Sequence, residues 1–221
     1  KTLADAVHEV GGLFVLDCVA SGALWVDMAA VDVDVLLTAP QKGWSGTPCA
    51  GYVMLRERGR AAVLETNSTS FALDLRKWLS ISDSYVDGAA PYHATMPTDS
   101  LAHNTELMRE TVQLGREELR ARQLELGARV RELLATHGMP SVAAEGFDAA
   151  TVVVAFTDDP TRQTGAAFKE AGLQIAAGVP LQCDEGPDYS SLRIGLFGLD
   201  KLNDVDGTVN RLAAALEKLN G

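Results

Sequence analysis

The sequence is organised around the stretch Thr38-Ala39-Pro40-Gln41-Lys42-Gly43-Trp44-Ser45-Gly46-Thr47-Pro48. It follows residues 31–37, an apolar run interrupted only by Asp32 and Asp34, which predicts a buried strand. Lys42 then stands just past the carboxyl end of that strand, where open α/β sheets place their ligand crevices. Glycine, serine, threonine and proline replace any helix-start signal, so we expect the backbone to turn tightly beside the amine. Taken alone, the stretch favours an ordinary surface lysine in a loop, and residues elsewhere in the chain change that interpretation.

The composition is that of an ordinary globular protein. The 221 residues are 47% hydrophobic and 22% charged, which is enough apolar material for one large domain or two small ones. The formal net charge is −11, and no basic patch offsets it, which argues against binding to nucleic acid or to an anionic membrane surface. No apolar segment approaches membrane-spanning length. Cys18, Cys49 and Cys183 are far apart and lack metal-type spacing, which favours a reducing cytoplasm over a disulfide framework.

The chain opens inside a helical pattern. Apolar residues at positions 3, 6, 7 and 10 recur at helical spacing, and no capping residue precedes them. The first residue, Lys1, is not a methionine. We therefore expect this sequence to be the later part of a larger protein.

The first part of the chain alternates strands and connectors. Gly11 and Gly12 end the first helix, and an apolar strand over residues 13–16 leads to Asp17. Residues 51–55 predict another strand and residues 56–64 a short helix. This order is typical of half of a doubly wound α/β sheet.

The later part of the chain follows a second pattern. After a predicted helix over residues 71–81 and a loop over 87–97, a long helical segment runs to about residue 137, with breaks at Gly115 and Gly127. The elements predicted beyond it are strands over residues 151–156, 173–176 and 191–197 and helices over residues 162–171 and 205–219. The pattern predicts a small α+β domain, so we divide the chain into residues 1–115 and 116–221.

Asp17 and Lys42 are the first candidates for chemistry. Both follow apolar strands, so their side chains would share one crevice if the strands are neighbours. A carboxylate and an amine at such a crevice suggest either an ion pair or a cofactor held between them. Pyridoxal phosphate needs this combination, because a lysine amine forms the Schiff base and a carboxylate keeps the pyridine nitrogen protonated. The spacing alone leaves both interpretations open.

The residues around this pair resemble the core of class V, fold-type I, pyridoxal-phosphate aminotransferases, most closely the alanine–glyoxylate and serine–glyoxylate (serine–pyruvate) group. The segments that carry the resemblance are Leu16-Asp17-Cys18-Val19-Ala20-Ser21, the strand over residues 33–37, and Gln41-Lys42. Pro40 departs from the serine that the family often has there. The resemblance implies the later half of a fold-type I large domain, mainly a parallel sheet, followed by a small α+β C-terminal domain.

The resemblance also assigns roles around the cofactor, which it implies is pyridoxal 5′-phosphate. Lys42 would be the Schiff-base lysine, and Asp17 would pair with the pyridinium nitrogen. Val19 would pack beneath the ring. Gln41, directly before the lysine, would contact the cofactor phosphate.

Two segments further along the chain match the same family. Tyr92-His93-Ala94-Thr95 resembles the Tyr-x-x-Thr loop with which one subunit reaches the phosphate of its dimer mate, so Tyr92 and Thr95 are expected at a homodimer interface. Arg193 lies in a strand like the family's Arg-Ile-Gly strand, whose arginine binds the substrate α-carboxylate in a bidentate manner. Without the resemblance, the first segment would be a plain turn before a helix, and Arg193 would fit a structural ion pair.

The implied activity is transamination between an alanine- or serine-type amino acid and a small 2-oxo acid such as glyoxylate or pyruvate. The resemblance does not cover the family's first half, which supplies the rest of the phosphate cup, the aromatic residue stacked on the ring and part of the substrate pocket. Trp25, Trp44 and Trp78 do not stand at that stacking position, and we interpret Trp25 and Trp78 as core or interface residues. We therefore expect a complementary N-terminal segment or chain to complete the site.

Two alternatives remain open from the sequence. The first is a non-catalytic or incomplete subunit of a split enzyme. The second is a cysteine desulfurase-like lyase, because Cys183 precedes Arg193 as the loop cysteine of desulfurases precedes their arginine. Desulfurases generally carry His-Lys where this chain has Gln41-Lys42, and the surroundings of Cys183 lack their serine and glycine residues.

Overall fold

Two three-stranded sheets and ten helices make up residues 1–220, the part of the chain that the computed structural model describes. The strands are β1 (Val15–Asp17), β2 (Val35–Thr38), β3 (Tyr52–Leu55), β4 (Val152–Phe156), β5 (Ala176–Ala177) and β6 (Ser191–Gly195). The helices are α1 (Thr2–Glu9), α2 (Met28–Val31), α3 (Glu57–Leu64), α4 (Leu75–Val86), α5 (Thr98–Leu114), α6 (Arg116–Thr136), α7 (Pro160–Gln163), α8 (Ala166–Glu170), α9 (Leu199–Leu202) and α10 (Val205–Asn220).

The first sheet has the order β1-β2-β3 and carries the predicted crevice at one edge. β1 and β2 are parallel, with Asp17 opposite Leu37, while β2 and β3 are antiparallel, with Thr38 opposite Tyr52. A backbone hydrogen bond from the Cys18 N–H to the Leu37 carbonyl, 2.7 Å long, extends the parallel pair beyond Asp17. The mixed α/β class predicted from the sequence is confirmed, and the carboxyl ends of β1 and β2 lie side by side.

β2 begins later than the apolar run suggested. Asp27 caps the short helix α2 by accepting hydrogen bonds from the N–H groups of Ala29 and Ala30, and this helix uses residues up to Val31. Asp32 follows in the left-handed conformation, with φ of 68°, and turns the chain into the sheet. The strand predicted over residues 31–37 therefore starts at Val35, because a helix cap and a left-handed residue interrupt the apolar run.

Asp34 ties α1 to the first sheet. Its side chain is only 2% exposed, and Oδ2 lies 2.8 Å from both Nε2 of His8 and the N–H of Phe14. Arg58 approaches Oδ1 at 3.8 Å. Burial opposes ionisation of this carboxyl, but the hydrogen bonds from Phe14 and His8 and the charge of Arg58 outweigh it and lower the pKa of Asp34.

The second sheet is antiparallel, with the order β4-β6-β5, and it packs against α6, which in turn packs against α10. Leu126, Val130 and Phe168 are fully buried in the core between these elements. Gln123 is also fully buried: its Nε2 donates to the carbonyls of Ala150 (3.0 Å) and Leu196 (3.1 Å). Its Oε1 accepts from the N–H of Ala23 in the first part of the chain at 3.4 Å. One side chain thus connects both parts of the structure.

The long helical segment breaks once rather than twice. Gly115, with φ of 90°, separates α5 from α6 as predicted. α6 instead continues through Gly127, where a Cβ atom would lie 2.6 Å from Cα of Ala150. The break predicted at Gly127 is wrong, because this glycine allows a close approach between helix and neighbouring backbone.

Further elements differ from the sequence prediction. The helix expected over residues 71–81 is α4, which begins at Leu75 and ends at Val86. The helix expected over residues 162–171 is divided into α7 and α8 by Gly165, whose φ is 79°. The strand expected over residues 173–176 is shorter and lies later in the chain, as the two residues of β5. The division of the chain into residues 1–115 and 116–221 stays a prediction. The last residue of the second part, Gly221, lies outside the described residues.

Across residues 1–220, no helix combines the length and the apolar composition that crossing a bilayer requires.

We predict that Asp34→Asn destabilises the fold at pH 7 by about 1–3 kcal/mol, because a buried charged hydrogen-bonded cluster loses its anion. The lowered pKa means that ionised Asp34 stabilises the fold above the ordinary aspartate value of about 3.9 and that this contribution is lost as pH falls through the lowered value. Urea unfolding between pH 7 and pH 3 should therefore show a smaller pH dependence for the variant. Asp83→Asn, in an exposed pair with Arg60, is the control and should change little. Equal effects of the two variants would contradict the assignment.

Candidate active site

Lys42 lies in a turn that follows β2 and points its amine at the second sheet. The side chain is half-buried, and Nζ lies 4.9 Å from the centre of the Phe197 ring. Phe197 follows β6, the strand that carries Arg193. A cation above an aromatic ring is attracted by the negative face of the ring. The tertiary structure therefore brings Lys42 to the carboxyl end of the Arg193 strand.

The turn around Lys42 packs closely against the turn that follows β1, and a glycine lies in each turn at the point of contact. A Cβ atom on Gly43 would lie 2.7 Å from the carbonyl oxygen of Gly22, closer than real Cβ contacts allow. Gly22 itself has φ of 58° in the turn that follows β1. The two turns beyond β1 and β2 are thus packed backbone to backbone, which holds Lys42 near the end of β1.

The loop after Lys42 is attached to the second part of the chain. Oγ of Ser45 donates a 2.7 Å hydrogen bond to Oδ1 of Asp200 at the start of α9. Partial burial opposes ionisation of the Asp200 carboxyl, but the Ser45 hydroxyl and the Lys201 ammonium outweigh it and lower the pKa of Asp200. Ser45 has φ of 55°, and Gly198 lies so close that a Cβ atom there would overlap Oγ of Ser45.

Asn104 holds the same loop from the opposite side. It is fully buried on α5, and its Oδ1 accepts the N–H of Thr47 at 2.9 Å. Its Nδ2 lies 3.1 Å from the Thr47 carbonyl, 3.2 Å from Sγ of Cys49 and 3.4 Å from the Tyr52 hydroxyl. Burial raises the pKa of the Tyr52 phenol. No sequence motif pointed to Asn104, because a polar residue in an amphipathic helix is usually solvated.

Asp17 stands at the carboxyl end of β1 with most of its carboxylate exposed. Oδ1 accepts the N–H of Val19 at 2.9 Å, which fixes the side chain over the turn that follows the strand. In the described chain, no lysine or arginine lies within 4.0 Å of this carboxylate. Asp17 and Lys42 are therefore neighbours at one edge of the sheet, and they do not form the ion pair that the sequence left open.

Arg193 occupies the middle of β6 and is half-buried. Nε donates to the Ala177 carbonyl at 2.8 Å, which fixes the plane of the guanidinium. Within residues 1–220, neither terminal nitrogen has a hydrogen-bond partner, and no carboxylate lies within 4.0 Å. The structural ion pair that was the alternative for Arg193 is absent from the described chain.

Lys42 and Arg193 have no carboxylate within 4.0 Å, unlike the other half-buried lysines and arginines of residues 1–220. The others each have a carboxylate within 4.0 Å: Arg56, Arg122, Arg129, Arg131, Arg162 and Lys201. A partly desolvated cation without an anion is costly in a protein, so such residues commonly mark sites where the anion is a ligand. Arg193 lies four residues before Phe197, the residue whose ring lies under the Lys42 amine.

Tyr92 and Thr95 lie in the loop between α4 and α5, and both are exposed. Their hydroxyl oxygens are 3.3 Å apart, and neither hydrogen-bonds to Asp17, Lys42 or Arg193 within the described chain. Between them, His93 packs against the rings of Phe71 (4.4 Å) and Trp78 (4.8 Å), and its Nε2 is buried without a partner. The loop is thus held by its histidine, while Tyr92 and Thr95 are exposed.

The remaining predicted residues are placed as follows. Gln41 is exposed at the start of the Lys42 turn, with no hydrogen bond from its side-chain amide among residues 1–220. Val19 is half-buried next to Asp17. Trp25 and Trp44 stack on each other with ring centres 5.2 Å apart and line a cavity of about 280 Å³, consistent with a packing role for Trp25.

Cys183 is exposed in a loop that is stabilised by hydrogen bonds between its own residues. The carboxylate of Glu185 accepts the N–H groups of Gln182 and Cys183 at 2.9 and 2.8 Å, and these backbone hydrogen bonds lower the pKa of Glu185 to about 2. Gln182 and Asp184 both adopt positive φ. The backbone of Cys183 is therefore anchored by its hydrogen bond to the Glu185 carboxylate.

The residues present fit pyridoxal phosphate in their chemistry. The described chain offers one amine without an anion, one carboxylate at the end of the strand next to β2 and one arginine with free terminal nitrogens. These are the groups that hold the aldehyde, the ring nitrogen and an acidic substrate. The loop with Tyr92 and Thr95 is not part of this crevice within the one chain.

Comparison with known proteins finds similar chains among the transaminases. The 2-aminoethylphosphonate–pyruvate transaminase of Burkholderia pseudomallei is 29% identical over 229 residues, which cover 98% of this chain and 58% of the relative. The solved alanine–glyoxylate aminotransferase of Nostoc sp. superposes with a TM-score of 0.82 at 21% identity, over 100% of this chain and 57% of that protein. The chain has the fold of the class V, fold-type I aminotransferases. No protein-family model matches it.

Two more solved structures extend the comparison. The ureidoglycine–glyoxylate aminotransferase of Bacillus subtilis superposes with a TM-score of 0.76 at 21% identity, over 100% of this chain and 57% of that protein. A structure of SPT with PLP superposes with a TM-score of 0.62 at 14% identity, over 99% of this chain and 51% of that protein. The resemblance predicted from the sequence is confirmed, and the chain spans a little over half the length of the curated relatives that it matches.

We predict that Gly43→Ala destabilises the protein by about 1–3 kcal/mol, because the added methyl group must separate two backbones that are already in contact. Thermal and urea unfolding would measure the change. Gly51→Ala is the matched control, because Gly51 lies in the loop before β3 and a Cβ atom there meets nothing within 4 Å. A variant at Gly43 as stable as the one at Gly51 would show that the packing of the two turns is not required.

Proposed function

We propose that this chain carries the Schiff-base half of a pyridoxal-phosphate-dependent aminotransferase. The observation that carries the proposal is that Lys42 and Arg193 are the two half-buried cations without a carboxylate in the described chain. Lys42 lies over Phe197, which follows the Arg193 strand, and Asp17 ends the strand that pairs with β2. The relatives and structural neighbours that match the chain are named as transaminases and aminotransferases, which supports the same reaction class.

Lys42 and Asp17 act on the two ends of the cofactor in this proposal. When bound, pyridoxal phosphate supplies an electron sink for the negative charge that develops at the α-carbon of the amino donor. Lys42 would hold the cofactor through Nζ, and its free amine would accept and return the proton at the α-carbon. Asp17 keeps a proton on the pyridine nitrogen, and the N–H of Val19 orients its carboxylate for this. Val19 packs beneath the ring.

Arg193 binds the acidic group of each substrate. Its Nε is fixed by the Ala177 carbonyl, so the free edge of the guanidinium presents its two terminal nitrogens in a defined direction. A planar fork of this kind grips a carboxylate by two parallel hydrogen bonds. The acceptor is a small 2-oxo acid such as pyruvate or glyoxylate, and the donor is an amino acid of the alanine or serine type.

A phosphonate donor is a second candidate. One relative is named for 2-aminoethylphosphonate, a donor whose acidic group is a phosphonate instead of an α-carboxylate. The unpaired terminal nitrogens of Arg193 also suit the oxygens of a phosphonate, because arginine binds phosphate and carboxylate alike. Pyruvate as the acceptor is common to both candidates.

Gln41, Tyr92 and Thr95 provide neutral donors for the cofactor phosphate. Gln41 lies in the same turn as Lys42 and is exposed. Tyr92 is 80% exposed, and its loop does not join the crevice of its own chain, which supports the interpretation that Tyr92 and Thr95 reach the site of a second copy in a homodimer. Residues 1–115 would then be the cofactor-binding part and residues 116–221 the small domain.

The site needs groups that this chain does not contribute. The chain spans 58% of its relative, and we propose that a complementary segment or chain supplies the rest of the phosphate cup, the residue stacked on the ring and part of the substrate pocket. The alternative is a subunit that keeps the fold without catalysis. The unpaired state of Lys42 and Arg193 favours the enzyme, because a purely structural chain gains nothing from desolvated cations without anions. The three cysteines are free, which agrees with a cytoplasmic protein.

We predict that pyridoxal phosphate attaches covalently to Lys42 in the protein together with its complementary polypeptide. Borohydride reduction followed by peptide mass mapping should place the pyridoxyl mass on Lys42. Lys169→Ala, which removes an exposed lysine on α8, should leave this label unchanged, whereas Lys42→Ala should abolish it. A wild-type complex without label at Lys42 would refute the proposed function and would leave the non-catalytic subunit as the explanation.

We further predict that Arg193→Ala lowers kcat/KM for every acidic donor and acceptor by about 10²-fold or more, because one charge-assisted bidentate contact is lost. Steady-state kinetics with alanine, serine and 2-aminoethylphosphonate would measure the loss and rank the donors. The control is Arg211→Ala, which removes an exposed arginine paired with Asp204 on α10. Unchanged kinetics in the Arg193 variant would contradict its assignment to the acidic group.

A further inference from the structure

The side-chain amide of Asn104 forms hydrogen bonds with the loop after Lys42 like those that a neighbouring strand would form. Residues 43–51 lead from the Lys42 turn to β3 without strand or helix structure. Asn104 satisfies both the N–H and the carbonyl of Thr47 with its side-chain amide, at 2.9 and 3.1 Å. A primary amide can imitate a neighbouring backbone in this way because it carries a donor and an acceptor side by side.

The contact is built to be tight. Asn104 is fully buried, and a Cβ atom on the adjacent Gly46 would lie 2.2 Å from Oδ1 of Asn104. Only a glycine at this position allows the loop backbone to reach the amide. Because an unpaired buried amide is costly, Asn104 and the loop stabilise each other's position.

Thr47, the residue that Asn104 binds, lies five residues after Lys42. The Ser45 hydroxyl holds the loop to Asp200 on one side, and Asn104 holds it to α5 on the other. Between these two attachments and β2, the turn has little freedom to move Nζ away from Phe197. The loop is therefore fixed at both flanks.

We infer that Asn104 is a positioning residue that fixes the loop of residues 43–49 and thereby the place of the Lys42 amine. The inference rests on the proposed function only in one respect: that function gives the position of the Lys42 amine its catalytic purpose. The contacts themselves do not depend on the cofactor. Loss of Asn104 frees the loop and exposes the amine.

The first test uses the chain without cofactor. Hydrogen–deuterium exchange of Asn104→Leu should show roughly tenfold faster exchange in peptides covering residues 43–49, as expected for the loss of a buried hydrogen bond. Reductive methylation with formaldehyde should label Lys42 faster relative to exposed Lys169 than in the wild type. Unchanged exchange in these peptides, or an unchanged relative labelling of Lys42, would overturn the inference.

The matched control is Thr111→Val on the same helix. Thr111 lies two turns after Asn104, is 4% exposed, and donates its hydroxyl only to the Leu107 carbonyl of its own helix. This variant should leave the exchange of residues 43–49 and the labelling of Lys42 as in the wild type. An equal effect of both variants would mean that α5 stabilises the loop in general and would contradict a specific role of Asn104.

A second variant disrupts the contact between Asn104 and Thr47 by a change in the loop. It leaves the buried Asn104 in place, so no polar core residue becomes apolar. Gly46→Ala places a methyl group against Oδ1 of Asn104 and should give the same faster exchange and faster methylation. In an Asn104→Ala background the severe overlap is gone and only the contact with Cβ of Pro40 at 3.2 Å is left, so Gly46→Ala should have a much smaller effect than in the wild type. Additive effects of the two changes would show that they act independently and would overturn the inference.

The cofactor measurement separates this inference from the proposed function. If pyridoxal phosphate labels Lys42 in the wild-type complex, Asn104→Leu should reduce that label severalfold while Thr111→Val does not; an unchanged label would overturn the inference. If the wild type takes no label, the proposed function fails. Exchange and methylation then still decide whether Asn104 positions the amine.

Discussion

The contact between the turns that follow β1 and β2 is the constraint on which the candidate site depends. Gly22 and Gly43 meet backbone to backbone, so the loops that carry Asp17 and Lys42 stay at a fixed separation without any bond between the two side chains. Asp17 and Lys42 thus follow neighbouring strands without forming an ion pair in the described chain. An ion pair would have filled the space that a ligand needs.

The charge distribution of the chain gives this arrangement its meaning. With a net charge of −11, the protein has more than enough carboxylates to pair every half-buried cation, and elsewhere in residues 1–220 it does so. Lys42 and Arg193 are held instead by a ring and by a backbone carbonyl, which are partners that leave the cation available. The site is therefore defined as much by the anions it lacks as by the groups it holds.

The sequence predicted those parts of the site that are local in the chain. A residue at the end of an apolar strand faces the sheet edge, so Asp17 and Lys42 could be placed from pattern and resemblance alone, and Arg193 from its strand motif. Asn104 could not be found in this way, because its partner Thr47 is 57 residues away and a buried asparagine looks in sequence like a solvated one. Glycines misled the prediction where their role was tertiary. Gly127 permits contact with Ala150 inside a continuous helix, whereas Gly165 does end one.

Gln123 has a consequence for motion. Its amide joins the turn before Trp25, the segment before β4 and the end of the β6 strand, and water cannot replace these hydrogen bonds because the side chain is fully buried. Sliding the two sheets past each other would strand a polar group in the core. Gln123 therefore opposes relative movement of the two parts of the chain. Any such movement is easier at the periphery, in the exposed loops that precede β6 and follow α4, than through the middle of the molecule.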